Sequence, residues 1–91
     1  MARRIVQFPG DSWSDVEALP GPQRAAVFRV VAHLLEEPVP ALADPFPLDD
    51  DPLPGAYELR LPSDGVAIWY VVAEADDGTE VILVQRVRVD P

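Results

Sequence analysis

The apolar residues of this chain change their period part-way along. Between residues 55 and 89 they recur at every second position or in unbroken runs, in the segments GAYELRL, VAIWYVVAEA and VILVQRVRV, separated by PSDG and DDGTE. β-Branched and aromatic runs divided by glycine-containing turn signals predict an antiparallel three-strand meander, with strands near 56–61, 66–74 and 80–89. Alternation assigns the faces. Tyr57, Leu59 and Leu61 share one face of the first of these strands, and Glu58 and Arg60 the other. The middle strand is apolar on both faces, as expected of a strand covered on both sides, with Trp69 and Val71 opposite Ile68, Tyr70 and Val72. Unbroken alternation in the last strand groups Val81, Leu83, Gln85 and Val87 on one face and Ile82, Val84, Arg86 and Arg88 on the other.

Upstream the period is helical. Val27, Val30, Val31, Leu34 and Leu35 fall at i, i+3, i+4, i+7 and i+8, an apolar stripe that predicts a helix over 22–37. Arg29, His33 and Glu36 lie on its polar face, Pro22 suits its first position, and Pro38 stops it. Trp13, Val16 and Leu19 predict a shorter helix over 11–19, opened by a capping box at Ser14-x-x-Glu17 or at Ser12-x-x-Asp15. Pro20-Gly21-Pro22 between the two predicts a helical hairpin. Residues 3–8, RRIVQF, form a short strand candidate ended by Pro9-Gly10. Residues 38–54 hold six prolines and the run Asp49-Asp50-Asp51, so they form neither a regular helix nor a central strand. An extended crossing is expected there, with Ala41, Leu42, Phe46, Leu48 and Leu53 as anchors.

These elements give an α+β domain in β-α-α-β-β-β order: a helical hairpin packed on one face of an antiparallel sheet. The length, 91 residues, suits one domain over 1–91 with a thin stability margin. The first and last strands are expected at open edges, and a small domain with such edges favours a second chain that covers apolar surface on the sheet or helices.

Composition narrows the chemistry. There is no cysteine, hence no disulfide, thiolate nucleophile or cysteine-based zinc site, which fits a cytoplasmic setting. No long apolar stretch follows the N-terminal arginines, so no signal peptide is expected, and no run approaches a membrane span of about 20 residues. The net charge is −9, and such a chain is repelled by nucleic acid unless its positive charge is clustered. All seven basic residues are arginine, so no lysine can act as nucleophile or proton donor. Three of the seven, Arg60, Arg86 and Arg88, fall in the meander.

Gly55-Ala-Tyr-Glu-Leu-Arg60, Gly65-Val-Ala-Ile-Trp-Tyr70 and Val81-Ile-Leu-Val-Gln-Arg86, set in this element order, resemble the RelE/ParE superfamily of bacterial toxins. There a strand ending in "-LR" leads through a short turn to a strand reading roughly "G-Y-R-I-x-Y", and the last strand ends in a basic cluster. The resemblance is specific over residues 55–88. It implies the toxin of a type II toxin–antitoxin module, cytoplasmic and without cofactor, whose partner is a cognate antitoxin that wraps around it. A homodimer is the alternative partner. RelE-type members cleave mRNA on the ribosome; ParE-type members inhibit DNA gyrase. A family-shaped binding protein without catalysis is the remaining alternative.

In the RelE-type reaction a ribose 2′-hydroxyl attacks the adjacent phosphodiester. Catalysis needs a proton acceptor, neutralisation of phosphate charge and a proton for the leaving oxygen. By resemblance Arg60 and Arg86 are the catalytic candidates, and Arg88 and Tyr70 the substrate-binding ones. The family site is incomplete: Ala67 stands where many members have arginine, and the connection that often carries lysines carries Asp44, Asp49, Asp50 and Asp51.

Each candidate has a structural alternative. Arg60 can pair with Glu58 or Glu80, and Arg86 and Arg88 can be solvated edge charges. His33, the only imidazole, lies on the polar helix face, and a lone histidine is no metal site. Asp49 to Asp51 lack the spaced ligands of a calcium loop. Trp13 and Trp69 suit a core or a partner surface. No Ser-His-Asp order and no glycine-rich phosphate loop is present.

Overall fold

A computed structural model describes residues 3–40, 43–45 and 56–89. The elements are β1 (Arg4–Gln7), α1 (Gly10–Ala18), α2 (Gly21–Glu36), β2 (Asp44–Pro45), β3 (Ala56–Leu61), β4 (Val66–Glu74) and β5 (Glu80–Val89). The sheet order is β1-β5-β4-β3-β2. The predicted hairpin and meander are both present. The anchors Ala41, Leu42, Phe46, Leu48 and Leu53, and the Asp49–Asp51 run, lie outside the described residues.

Three features differ from the sequence reading. First, β1 runs parallel to β5, with Arg4 opposite Glu80 and Gln7 opposite Leu83, so the sheet is mixed. This places β5 inside the sheet over its first four residues and leaves β1 and β2 as the edges. Second, a short strand, β2, pairs with β3, Asp44 opposite Glu58. Third, the capping boxes do not form. Pro9 and Pro20 occupy the N-cap positions without a side-chain cap. The Ser12 and Ser14 hydroxyls instead donate back to the Pro9 and Gly10 carbonyls, at 2.9 and 3.0 Å. Serine side chains readily make such local bonds to the preceding turn.

The helix C-termini are capped by arginine. The Arg4 guanidinium donates to the Leu35 and Glu36 carbonyls at the end of α2 and to Glu80 of β5 at 2.6 Å. Arg24 donates to the carbonyls of Val16, Glu17 and Leu19 at the end of α1. A cation satisfies the orphan carbonyls there and complements the negative end of the helix dipole. The turns follow their signals: Gly65 and Gly78 take positive φ, 70° and 85°, which glycine adopts without steric penalty.

The core lies between the hairpin and one sheet face. Val16, Leu19, Ala26, Val27 and Leu34 from the helices meet Leu59, Val66, Ile68, Tyr70, Ile82, Val84 and Val87 from the sheet. The α2 stripe is not uniformly buried: Val27 and Leu34 are fully enclosed, Val30 and Val31 partly, and Leu35 is exposed. The other sheet face, here the outer face, carries no helix among the described residues. On it Ala67, Trp69 and Val71 are half-buried, so β4 is deeply covered on one side only.

The last strand breaks its alternation. Trp69 lies opposite Arg86 and Tyr70 opposite Val84, so Gln85 is an extra residue, a β-bulge. The bulge brings Ile82, Val84 and Val87 all to the helix side, where each is buried. Unbroken alternation had put Val87 with Gln85 and set Arg86 and Arg88 beside Val84. The structure moves both arginines to the face of Trp69, because burying Val87 is worth more than an unbroken ladder at a partly uncovered edge.

Candidate functional site

Structural duties account for several arginines before any site is considered. Arg4 and Arg24 cap helices, and Arg29 pairs with Asp64 at 3.1 Å. The outer sheet face then holds Arg60, Arg86 and Arg88, and register fixes their order. Arg60 on β3 lies opposite Ala67 on β4, and Ala67 lies opposite Arg88 on β5. Arg60 and Arg88 thus flank one small residue, two strand spacings or about 10 Å apart at the backbone. The next row is Glu58, Trp69 and Arg86. The arginine that shares a row with Arg60 is therefore Arg88, while Arg86 is diagonal to it.

Each guanidinium has a neighbour within the chain. Arg60 Nε donates to Glu58 Oε1 at 2.8 Å, the pairing anticipated as its structural alternative. Trp69 Nε1 donates to the other oxygen of the same carboxylate. The Arg88 guanidinium lies 4.5 Å from the centre of the Trp69 ring, a cation–π contact. Arg86 Nε donates to Asp15 Oδ2 at 2.8 Å, and the same oxygen accepts the Val87 N–H at 3.0 Å. Val87 lies beyond the end of β1, so Asp15 supplies from α1 the acceptor that a neighbouring strand would otherwise provide.

The carboxylates are held ionised. The Arg86 bond draws the Asp15 pKa below its ordinary value against the opposing effect of burial, with the Val87 bond helping. Burial pushes Glu58 up, but its bonds to Arg60 and Trp69 outweigh this and bring its pKa below the ordinary value. The bond to Asp15 in turn raises that of Arg86. Among the described residues, three cations and two anions leave this cluster one net positive charge, in a chain of net charge −9.

Tyr70 is not part of this constellation. It points to the helix side, is 1% exposed and donates its hydroxyl to the Pro38 carbonyl at 2.8 Å. Burial, with Tyr57 stacked on it, pushes its pKa up to about 12. His33 is exposed on α2, beside a cleft of about 200 Å3 that Arg29, Val30, Pro40, Leu59 and Leu61 complete, away from the outer face. Among the described residues no group of three or more histidine or acidic side chains is placed to hold a metal. None of the helices described is long and apolar enough to cross a membrane.

Sequence reasoning named Glu58 as a pairing partner of Arg60 but did not connect Trp69 or Asp15 with the arginines. Their roles arise from cross-strand register and from docking of α1 on β5. The available signal was the shared face of Glu58 and Arg60, which alternation gave correctly.

Neither a family model nor a curated relative matches the sequence. Solved structures do. The chain resembles the toxin–antitoxin complex RelBE2 from Mycobacterium tuberculosis with a TM-score of 0.70 at 24% identity, covering 92% of this chain and 94% of that one. It resembles the isolated E. coli RelE toxin with a TM-score of 0.73 at 21% identity, covering 96% and 84%. A double arginine-to-alanine mutant of E. coli RelE in the free state gives 0.69 at 23% identity, covering 96% and 82%. Likeness at this level of identity speaks for the backbone. The protein has the RelE/ParE-like fold, a helical hairpin on one face of a sheet whose other face carries the arginines.

Proposed function

We propose that the protein is the toxin of a type II toxin–antitoxin module, and that its outer sheet face engages the phosphodiester backbone of RNA through Arg60 and Arg88, with Arg86 beside them. The observation that carries this reading is the row Arg60–Ala67–Arg88 on the outer sheet face of a fold shared with RelE toxins. Guanidinium forks match phosphate geometry and stay charged at any physiological pH. In mRNA cleavage of RelE type they would neutralise charge as the 2′-hydroxyl attacks the phosphodiester.

A proton acceptor is the weak point of this face. The chain has no lysine, His33 lies elsewhere, Tyr70 is enclosed, and Glu58 is occupied by two donors. A carboxylate or the ribosome would therefore have to supply the acceptor, and cleavage of free RNA is expected to be slow. The acidity of the chain points the same way, because RNA approaching from solution meets net repulsion.

The test is induced expression in bacteria with a growth readout, alone and with the neighbouring gene. The wild type is expected to arrest growth, the neighbour's product to relieve the arrest, and Arg60→Ala and Arg88→Ala each to weaken it by about tenfold or more in plating efficiency. Arrest that both substitutions leave intact defeats the site. A harmless wild type instead favours a binding protein without catalysis, a reading that the internal pairing of Arg60 and Arg86 supports.

A further inference from the structure

On charge alone, Glu58 is a handicap to a phosphate-binding face. It stands in the row next to Arg60 and Arg88, is ionised, and repels the ligand the arginines would attract. The bonds it makes suggest a different role. Its two oxygens are divided between two donors on neighbouring strands: Oε1 accepts from Arg60 Nε and Oε2 from Trp69 Nε1. Trp69 is its direct cross-strand partner, so the second bond is set by register. The indole so held carries the Arg88 guanidinium on its face. One carboxylate thus connects both arginines of the row, Arg60 directly and Arg88 through the tryptophan.

We infer that Glu58 is a positioning residue, a clasp that holds Arg60 and the Trp69 ring so that the guanidinia of Arg60 and Arg88 stand at fixed places on either side of Ala67 to receive a polyanion backbone. This rests on the RNA-binding reading given above. Arginine is among the side chains with most rotamer freedom to lose, so ordering two of them before the ligand arrives removes a large part of the cost of binding. Against this stands the repulsion between Glu58 and phosphate, which is offset by the Arg60 guanidinium paired with the carboxylate. The Glu58 side chain is 14% exposed and that of Arg60 63%, so the carboxylate lies beneath the guanidinium, with the cation towards solvent. Ordering therefore outweighs repulsion. The same geometry makes Trp69 a reporter of the clasp.

The experiment uses the full chain carrying Trp13→Phe, which leaves Trp69 as its only tryptophan. Glu58→Ala and Glu58→Gln are made in that background, and thermal melting confirms that each is folded. Two quantities are read: the emission maximum and anisotropy of Trp69, and the affinity for a single-stranded oligoribonucleotide at low salt. Alanine is expected to shift the emission to the red, lower the anisotropy and weaken oligoribonucleotide binding by about tenfold, although it removes a negative charge. Glutamine, whose amide oxygen still accepts a hydrogen bond, is expected to recover part of both losses. Equal or tighter binding by Glu58→Ala overturns the inference and makes Glu58 a repelling charge only; unchanged emission and anisotropy overturn it as well. Should the alanine variant fail to fold, Glu58→Gln binding as tightly as the parent or more so has the same meaning. If the parent binds no oligoribonucleotide, the face does not hold RNA without the ribosome, the growth test above decides the RNA reading, and the emission and anisotropy arm still decides whether the clasp exists.

Discussion

Leu34→Ala is expected to destabilise the protein by about 3 kcal/mol and lower its melting temperature by about 12–24 °C. Leu34 projects from α2 into the core and has no exposed surface. Truncation removes its buried methyl groups and leaves a cavity in the core between α2 and the sheet. The neighbours cannot collapse freely, because the helix is fixed at its C-terminus by Arg4 and the sheet by its own ladders. Domains of this size hold a margin at the low end of about 5–15 kcal/mol, so the loss is a large fraction of the total. Leu35→Ala is the control. Leu35 is 37% exposed, and its truncation is expected to cost no more than about 1 kcal/mol. Thermal or urea melts of the two variants check the pair. Equal destabilisation would mean that α2 is rotated from the orientation described.

The contrast between these neighbours shows what the sequence can and cannot specify. Both leucines belong to the i, i+3, i+4 stripe, and periodicity alone cannot say where a stripe ends. That depends on how far the sheet extends beneath the helix, which is a tertiary property. The meander strands were legible because their β-branched and aromatic runs are divided by two glycine turns. The parallel entry of β1 was not, since RRIVQF reads the same in either direction of pairing. The bulge at Gln85 was hidden for a related reason. VILVQRVRV offers two alternations, Ile82-Val84 and Val87-Val89, that are out of phase, and a continuous period conceals the slip. The out-of-phase pair was the signal for an extra residue.

The site was legible in its residue types and not in its arrangement. Arg60, Arg86 and Arg88 all reach the outer face, but the bulge decides that Arg88 rather than Arg86 shares a row with Arg60. Tyr70 matched a family motif on a strand whose two faces are both apolar, so only packing could place it against the helices. The serines that looked like capping residues of α1 were displaced by Pro9 at its N-cap. Arg4 and Arg24 carry no local motif for helix capping, because the helix end each serves lies 31 and 5–8 residues away in sequence.

Asp15→Ala is expected to loosen the end of the sheet that carries Arg86 and Arg88. Its carboxylate joins α1 to β5 by accepting from Val87 N–H and from Arg86, and among the described residues no strand flanks the part of β5 beyond β1 on that side. The Val87 bond to a charged acceptor contributes about 1.5–3 kcal/mol, and nothing is added for the half-exposed Arg86, whose pairing water screens. Asp15→Asn separates the two contributions, since its amide oxygen still accepts from Val87 while its charge is gone. The pH dependence follows from the sign of the shift. The folded state depresses the Asp15 pKa, so its ionic contribution is present in full above the unfolded value, near 3.8. That contribution is lost as pH falls through the lower folded value. The absolute stability curve mixes this with Glu58 and Asp77, whose pKa values are also lowered, and with relief of the chain's acidic repulsion. The informative quantity is the difference between wild type and Asp15→Asn, measured by urea melts from neutrality down to about pH 3. A constant gap at neutral pH that closes on acidification is the expected result, together with faster hydrogen exchange at the Val87 amide in Asp15→Ala. A gap that widens as pH falls, or a Val87 amide equally protected in both proteins, would mean that Asp15 does not close the edge of β5.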